Sequence, residues 1–250
     1  PANVAAEMEQ VHRRYGTREF FDDNESGPIY DVAWLERFRD ELKNRGCLGR
    51  FRISSNCRAD IVTEKSLDLM VQCGWRLLKI GLESGNDASL RRLAKCETVD
   101  LIRRGVKLAK DRGLRVMLTI MFGYPWEGEE EARRTFEVAR ELLDYKTRTG
   151  DCLQASVILP YPGSPLYKEA QRKGWLLVGE KDYERYDMSR PILSSPVDGA
   201  QWCTRTWGLM KRPSYAIKQV WTARTFEEIN LLFRGFKSLL GHVKDYHEKE

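Results

Sequence analysis

Glu83 is a carboxylate set directly after an apolar strand, in the run Lys79-Ile80-Gly81-Leu82-Glu83-Ser84-Gly85-Asn86-Asp87. The strand ends abruptly in a carboxylate, a hydroxyl and a glycine, and a helix follows. Strand ends of this kind hold ligands in parallel α/β proteins. A carboxylate there needs a partner, because leaving it buried and unpaired is costly. Further strand ends carry Asp22 and Asp23, Asn56 and Arg58, Thr119 with Met121, and Tyr161. In a parallel barrel all of these point into one mouth, where they would make a cofactor cradle. Plainer readings stand beside that one. Asp22 and Asp23 would cap a loop, Arg58 and Asp60 would form an ion pair at the rim, and Thr119 would bond to backbone.

The elements that position these groups follow from hydrophobic period. Helices are expected over Asn3–Tyr15, Val32–Asn44, Glu64–Gln72, Val99–Asp111 and Glu129–Tyr145, with glycines closing several of them. Strands are expected over Arg18–Phe21, Phe51–Ser55, Arg76–Leu82, Leu114–Phe122 and Leu153–Leu159. Alternation of this kind calls for a parallel sheet with right-handed crossovers. The Val-, Ile- and Leu-rich strands point to burial on both faces. Beyond the turn Pro160-Tyr161-Pro162-Gly163-Ser164-Pro165 the pattern changes. A short helix spans Leu166–Lys173, a loop with Tyr183, Tyr186 and Asp187 spans Glu180–Val197, and helices are expected over Ala200–Met210 and Phe226–Val243. The last has a wide apolar face flanked by Arg234, Lys237 and Lys244. It would dock on the barrel or a further domain, or less readily lie on an anionic membrane.

The bulk properties suit a globular protein: 250 residues, 42% hydrophobic and 32% charged. A net charge of +5 with no dense basic run permits a nucleic-acid or anionic-membrane partner without arguing for one, and no nucleic acid is expected. No apolar run approaches the roughly 20 residues that cross a bilayer, and no signal peptide is visible. The six cysteines Cys47, Cys57, Cys73, Cys96, Cys152 and Cys203 lie far apart, without cluster or zinc spacing. They read as reduced thiols of a cytoplasmic protein. The opening on Pro1 reads as a processed or excised piece, with a further strand expected upstream.

Four motifs in order carry a resemblance. The strand-IGLESGN run is followed by a helix holding Leu90-Arg91-Arg92-Leu93-Ala94-Lys95. Cys57-Arg58-Ala59-Asp60, Phe122-Gly123-Tyr124-Pro125-Trp126-Glu127 and Pro160-Tyr161-Pro162-Gly163-Ser164-Pro165-Leu166-Tyr167 complete the set. Together they resemble the radical S-adenosylmethionine (radical SAM) enzymes, in the subgroup that often carries an amino-terminal cobalamin-binding domain. The resemblance implies a partial (β/α)6 TIM-like barrel over residues 1–167, lacking its first strand, and a mainly helical extension over 168–250. It implies that Glu83 faces S-adenosylmethionine and that Lys95 holds the methionyl carboxylate. It places Asn56, with Arg58 and Ser84 at neighbouring strand ends, near the amino-acid part, Thr119 near the ribose and Met121 near the adenine, with Phe122 helping to form the adenine slot. The ligand's chemistry agrees: a sulfonium zwitterion needs an anion, a cation and hydrogen-bonding groups.

One departure matters. The family binds a 4Fe-4S cluster through CxxxCxxC, and neither that triplet nor the DxHxxG cobalamin signature occurs in this sequence. His12, His242 and His247 read as exposed helical residues. The cluster ligands, and any cobalamin site, are therefore expected upstream in the same polypeptide, and this chain alone is expected to be inactive. In the intact enzyme the family's chemistry is one-electron cleavage of the sulfonium, fed by a reductant such as a ferredoxin or flavodoxin, and hydrogen abstraction from a small-molecule substrate, with cobalamin-dependent methyl transfer as one outcome. Two other readings stay open: a non-catalytic barrel remnant that binds a nucleotide or partner, and an unrelated parallel barrel with Glu83 and Lys95 as an acid/base pair.

Overall fold

The computed structural model describes residues 1–24, 31–179, 181–186, 190–226 and 228–234. Five βα units run in order: α1 (Ala2–Tyr15), β1 (Glu19–Asp22), α2 (Val32–Asn44), β2 (Arg52–Cys57), α3 (Glu64–Cys73), β3 (Trp75–Glu83), α4 (Asp87–Arg92), α5 (Val99–Asp111), β4 (Arg115–Phe122), α6 (Glu129–Asp144) and β5 (Cys152–Val157). The strands form one parallel sheet in sequential order, β1-β2-β3-β4-β5. This is a partial barrel with a helical tail. Strand and helix boundaries in the barrel fall within two residues of those read from the periodicity.

The helix ends are locally encoded. Thr63 accepts from the Ser66 amide and Ser66 answers, a closed capping box that starts α3. Gly74 ends it at φ 103°, and a Cβ there would come 2.5 Å from the Phe51 carbonyl oxygen. Only glycine fits that left-handed close approach.

Expected burial on both faces does not hold for the strands. In β4, Val116, Leu118, Ile120 and Phe122 are buried, whereas Arg115, Met117, Thr119 and Met121 are half-buried. Helices α5 and α6 pack against β4. The other face is mixed and partly open: the register lines up Asn56, Lys79, Met117 and Cys152, and above them Gly81, Thr119 and Gln154. In β4 the alternation therefore separates a buried face from a mixed, half-buried one.

The tail packs back on the barrel. Helix α7 (Pro165–Lys173) follows the proline-rich turn, capped by Ser164. A second apolar cluster joins Tyr124, Ile158, Ala170 and Leu193, with Met121 and Trp126 against it. An isolated antiparallel bridge pairs Leu176 with Leu193. The segment expected as loop, Glu180–Val197, contributes Leu193 to that bridge and holds a 3-10 turn, Tyr183–Arg185; its Glu180 and Asp187 lie outside the described residues. Helix α8 (Gly199–Gly208) places Trp202 on Phe122, ring centroids 6.0 Å apart. A further helix that the periodicity did not indicate, α9 (Pro213–Thr222), starts with proline in its first turn. Of the expected helix Phe226–Val243, positions 226 and 228–234 are helical. There Glu228 pairs with Arg115 at 2.6 Å. The remainder of that helix, with Lys237 and Lys244, and also His242 and His247, lies outside the described residues. Among the described residues no helix is long and apolar enough to cross a membrane.

Candidate cofactor site at the strand ends

The last residues of β3 break the ladder. Gly81 sits opposite Thr119, but Glu83 sits opposite Ile120, so Leu82 is bulged out of register. Glu83 takes φ 59°, a left-handed conformation that non-glycine residues rarely adopt. Its carboxylate lies against the Cα of Gly81, where a Cβ would come 2.2 Å from Glu83 Oε1 and 2.9 Å from Lys95 Nζ. Absence of a side chain at position 81 is thus what lets an acid and a base share this place.

Lys95 comes from the connection between α4 and α5. It is flanked by Ala94 at φ 52° and Cys96 at φ 59°. Three of the four left-handed non-glycine residues among those described therefore lie at Glu83 and around Lys95. Each such conformation costs on the order of 1–3 kcal/mol, and strain of this type concentrates at functional sites.

Lys95 Nζ stands 3.8 Å from Glu83 Oε1 and 3.1 Å from Glu97 Oε2. Thr119 Oγ1 donates to Glu83 Oε1 at 3.5 Å, the outer limit of a hydrogen bond. Glu83 Oε2 is buried without a partner. The contact to Glu97 is an ion pair rather than an aligned hydrogen bond, so Glu97 Oε2 also lacks a donor. Burial pushes the Glu83 carboxyl above the usual carboxylate range, and Lys95 and Thr119 only partly oppose that shift.

Strand β2 braces the same connection. Arg58 donates to Asp60 through Nε at 3.1 Å and Nη2 at 2.8 Å, and Nη2 also reaches the Lys95 carbonyl at 3.1 Å. The Asp60 amide donates to Glu97 Oε1 at 3.1 Å. The paired contact holds Arg58 above the ordinary guanidinium value. Burial alone would raise Asp60, but Arg58 overrides it and holds the carboxyl low. Three carboxylates against two cations leave this cluster one negative charge in excess.

The structure thus brings Glu83, Lys95 and Thr119 together, with Arg58 behind them as a brace. Ser84 is turned away from the opening. It is fully buried and donates to Glu127 at 2.6 Å, in a network with Asn86. Asn56 lies on the inner face and donates to the Asn24 carbonyl at 3.2 Å, while Asn24 donates to Asp22. Met121 packs in the second apolar cluster, and Phe122 lies on the opposite face, under Trp202, so the two cannot line one slot. Tyr161 is exposed in its turn. Four further residues matter here: Gly81, Tyr124 and Glu127, which the motifs contain but to which the sequence assigns no role, and Glu97, which lies outside the motifs. Tyr124 is fully buried with an unpartnered hydroxyl, raised well above the ordinary phenol value by burial and by Glu83 and Glu127. A carboxylate two positions after Lys95 was the legible sign of Glu97.

A sulfonium amino acid fits this donor set. The unfilled Glu83 Oε2 would accept an ammonium, Lys95 would meet a carboxylate, and the excess negative charge suits a ligand of net positive charge. An iron–sulfur cluster does not fit these residues. Among the described residues no group of three or more His, Cys, Asp or Glu could hold a metal ion. Cys47, Cys57, Cys73 and Cys203 are buried and free. Burial raises the thiols of Cys73 and Cys203 to about 12 and that of Cys152 to about 11, which keeps them protonated.

A parallel half-barrel with a strained acid–base pair at its strand ends defines a class of cofactor-binding α/β barrel. The chain belongs to the radical SAM superfamily, whose family model matches residues 3–139. An uncharacterized methyltransferase of Pyrococcus horikoshii is 27% identical over 197 residues, which cover 76% of this chain and 39% of that protein. The anaerobic magnesium-protoporphyrin IX monomethyl ester cyclase of Rubrivivax gelatinosus is 24% identical over 193 residues, 77% of this chain and 33% of its own. Among solved structures, the radical S-adenosylmethionine methyltransferase TsrM of Kitasatospora setae, with cobalamin and a 4Fe-4S cluster bound, superposes at TM-score 0.59. The match has 18% identity and covers 82% of this chain and 40% of TsrM. The cobalamin-dependent S-adenosylmethionine radical enzyme OxsB also reaches 0.59, at 15% identity over 95% of this chain and 40% of its own. These likenesses show the fold. The chain spans less than half the length of the relatives it matches.

Proposed function

We propose that this chain binds S-adenosylmethionine at the ends of β3 and β4 and forms the greater part of a radical SAM catalytic barrel. The observation that carries the reading is the Glu83–Lys95 pair, 3.8 Å apart, with Glu83 Oε2 buried and unfilled. Glu83 takes the methionyl ammonium and Lys95 the methionyl carboxylate. Thr119, beside Glu83 on the inner face, offers a hydroxyl to the ribose. Asn56 extends the polar rim toward the amino-acid part, while Met121 offers apolar surface to the adenine. Arg58 holds the Lys95 backbone and does not itself reach for ligand. Bound S-adenosylmethionine supplies an activated carbon–sulfur bond for radical chemistry. The protein's part is to fix the ligand's charged end and keep it from water.

Methyl transfer with cobalamin is the outcome favoured by the relatives, since one is named a methyltransferase, TsrM is solved with cobalamin and a 4Fe-4S cluster, and OxsB with aqua-cobalamin and S-adenosylmethionine. The cluster ligands, any cobalamin site and the surface that meets a ferredoxin- or flavodoxin-type reductant then belong to the rest of the polypeptide. The substrate is a small molecule and the setting cytoplasmic. The test is calorimetric. Glu83→Ala and Lys95→Ala are each expected to weaken S-adenosylmethionine binding by about 1–3 kcal/mol, the scale of a charged hydrogen bond. Unaltered affinity in both variants would overturn the assignment.

A further inference from the structure

Glu97 has no part in the roles given above, yet it is the most deeply buried charge of the cluster. Its side chain is fully inaccessible, against 15% exposure for Lys95 and 21% for Glu83. It stands nearer to Lys95 than Glu83 does, 3.1 Å against 3.8 Å. Its other oxygen is fixed by the Asp60 amide, and Asp60 is itself clamped by Arg58. Burying a carboxylate this thoroughly is unfavourable unless it is paired; among the described residues the cation in ion-pair contact with it is the ligand-facing lysine, while Arg58 acts on it from farther off.

We propose that Glu97 is a positioning residue that draws the Lys95 ammonium off Glu83, and so selects a sulfonium nucleotide over its neutral thioether counterpart. The argument rests on the S-adenosylmethionine reading and deepens it. Without the Glu97 charge, Lys95 has a single carboxylate to neutralise, and it closes on Glu83. Closure fills the acceptor that the ligand ammonium needs and removes the excess negative charge from the opening. With Glu97 charged, Lys95 is shared, Glu83 Oε2 stays unfilled, and the site carries the counter-charge for a ligand of net charge +1. S-adenosylhomocysteine has the same ammonium, carboxylate, ribose and adenine but no charge at sulfur, so the affinity ratio of the two ligands reads this charge directly.

The experiment is calorimetric titration of the chain with each ligand, wild type beside Glu97→Gln, across pH 4.5–8. For Glu97→Gln the preference for S-adenosylmethionine over S-adenosylhomocysteine is expected to fall about tenfold, the scale of one charge acting across the site. The acid limb of binding is expected to move to lower pH, because Lys95 then stabilises the Glu83 carboxylate. Besides Lys95 and Glu97 from the α4–α5 connection, the groups that act on Glu83 are Thr119 of β4 and the neutral Tyr124 phenol after it. A merely structural role would lower both affinities alike and leave the ratio and the acid limb in place; that result overturns the proposal. If circular dichroism shows Glu97→Gln unfolded, Glu97→Asp keeps the charge but draws it back by one methylene. Its ratio is expected between wild type and a tenfold loss, and a folded Asp variant with the wild-type ratio overturns the proposal equally. Wild type that binds neither ligand overturns the S-adenosylmethionine reading itself. Wild type that binds, with Glu97→Gln unchanged, overturns only the role of Glu97.

Discussion

Gly81→Ala separates the making of the site from the making of the fold. The added methyl would stand 2.2 Å from Glu83 Oε1 and 2.9 Å from Lys95 Nζ. Ordinary heavy-atom contact is about 3.5 Å, so the carboxylate must retreat by about 1 Å. Both obstructing atoms are the ends of long side chains, and Gly81 has no left-handed φ, so the backbone accepts alanine. Denaturant unfolding should therefore show a stability change below about 1 kcal/mol. Ligand affinity should fall by about 1.5–3 kcal/mol, the cost of a displaced charged hydrogen bond, or about 10–150-fold in Kd. Gly85, four residues on, is the control. A Cβ there meets the α6 backbone, 2.6 Å from Thr135 Cα and 2.8 Å from Thr135 N. Gly85→Ala should lower stability by about 1–3 kcal/mol through overpacking and leave the affinity of the folded fraction intact. Wild-type affinity in Gly81→Ala, measured by calorimetry on folded protein, would refute the claim that Glu83 and Lys95 meet the ligand.

Two further outcomes follow from buried charges away from the opening. Lys110 donates to the Leu142, Leu143 and Tyr145 carbonyls at the end of α6 and pairs with Asp151 at 3.1 Å, both side chains being essentially inaccessible. Lys110→Met should cost about 3–5 kcal/mol in urea unfolding, because the buried Asp151 keeps its two backbone amide donors but loses its cation. Glu127 is buried with no ion-pair partner among the described residues, and burial lifts its carboxyl above the usual range, despite bonds from Ser84, Ser89 and Asn86. A raised folded-state pKa gives stability that is complete below the unfolded value and is lost as pH rises through the folded one. The Glu127→Gln variant should therefore gain on wild type in melting temperature as pH rises from about 4 to 8. A constant difference across that window would show that Glu127 does not titrate there.

Period and punctuation made the sheet legible, because five apolar strands each lead into or follow a helix with its own cap and glycine stop. That Glu83 and Lys95 share a site was implied by the family resemblance, and the structure has them 3.8 Å apart. Directions of side chains at the end of β3 were not legible. The bulge at Leu82 and the left-handed Glu83 turn Ser84 into the protein, and neither feature has a sequence signal stronger than the adjacent glycines. At the end of β4 the alternation itself held the answer. Met121 and Phe122 are neighbours in a strand, so one must face the helices, and Phe122 meets Trp202 there. Glu97 escaped notice because residues two apart do not face each other on a helix, and the buried Lys95–Glu97 pair depends on the left-handed Cys96 between them. Helix α9 had one cue, Pro213 in its first turn, while its stripe of Ile217, Val220 and Trp221 stays exposed and so never reads as core.

A crystal structure of the chain with S-adenosylmethionine bound tests the central claim most directly. The account predicts the methionyl ammonium within hydrogen-bond reach of Glu83 Oε2, the carboxylate at Lys95 Nζ, and the sulfonium over the inner face of β3 and β4. Ligand density elsewhere on the barrel, with the Glu83–Lys95–Glu97 contacts undisturbed, would contradict it.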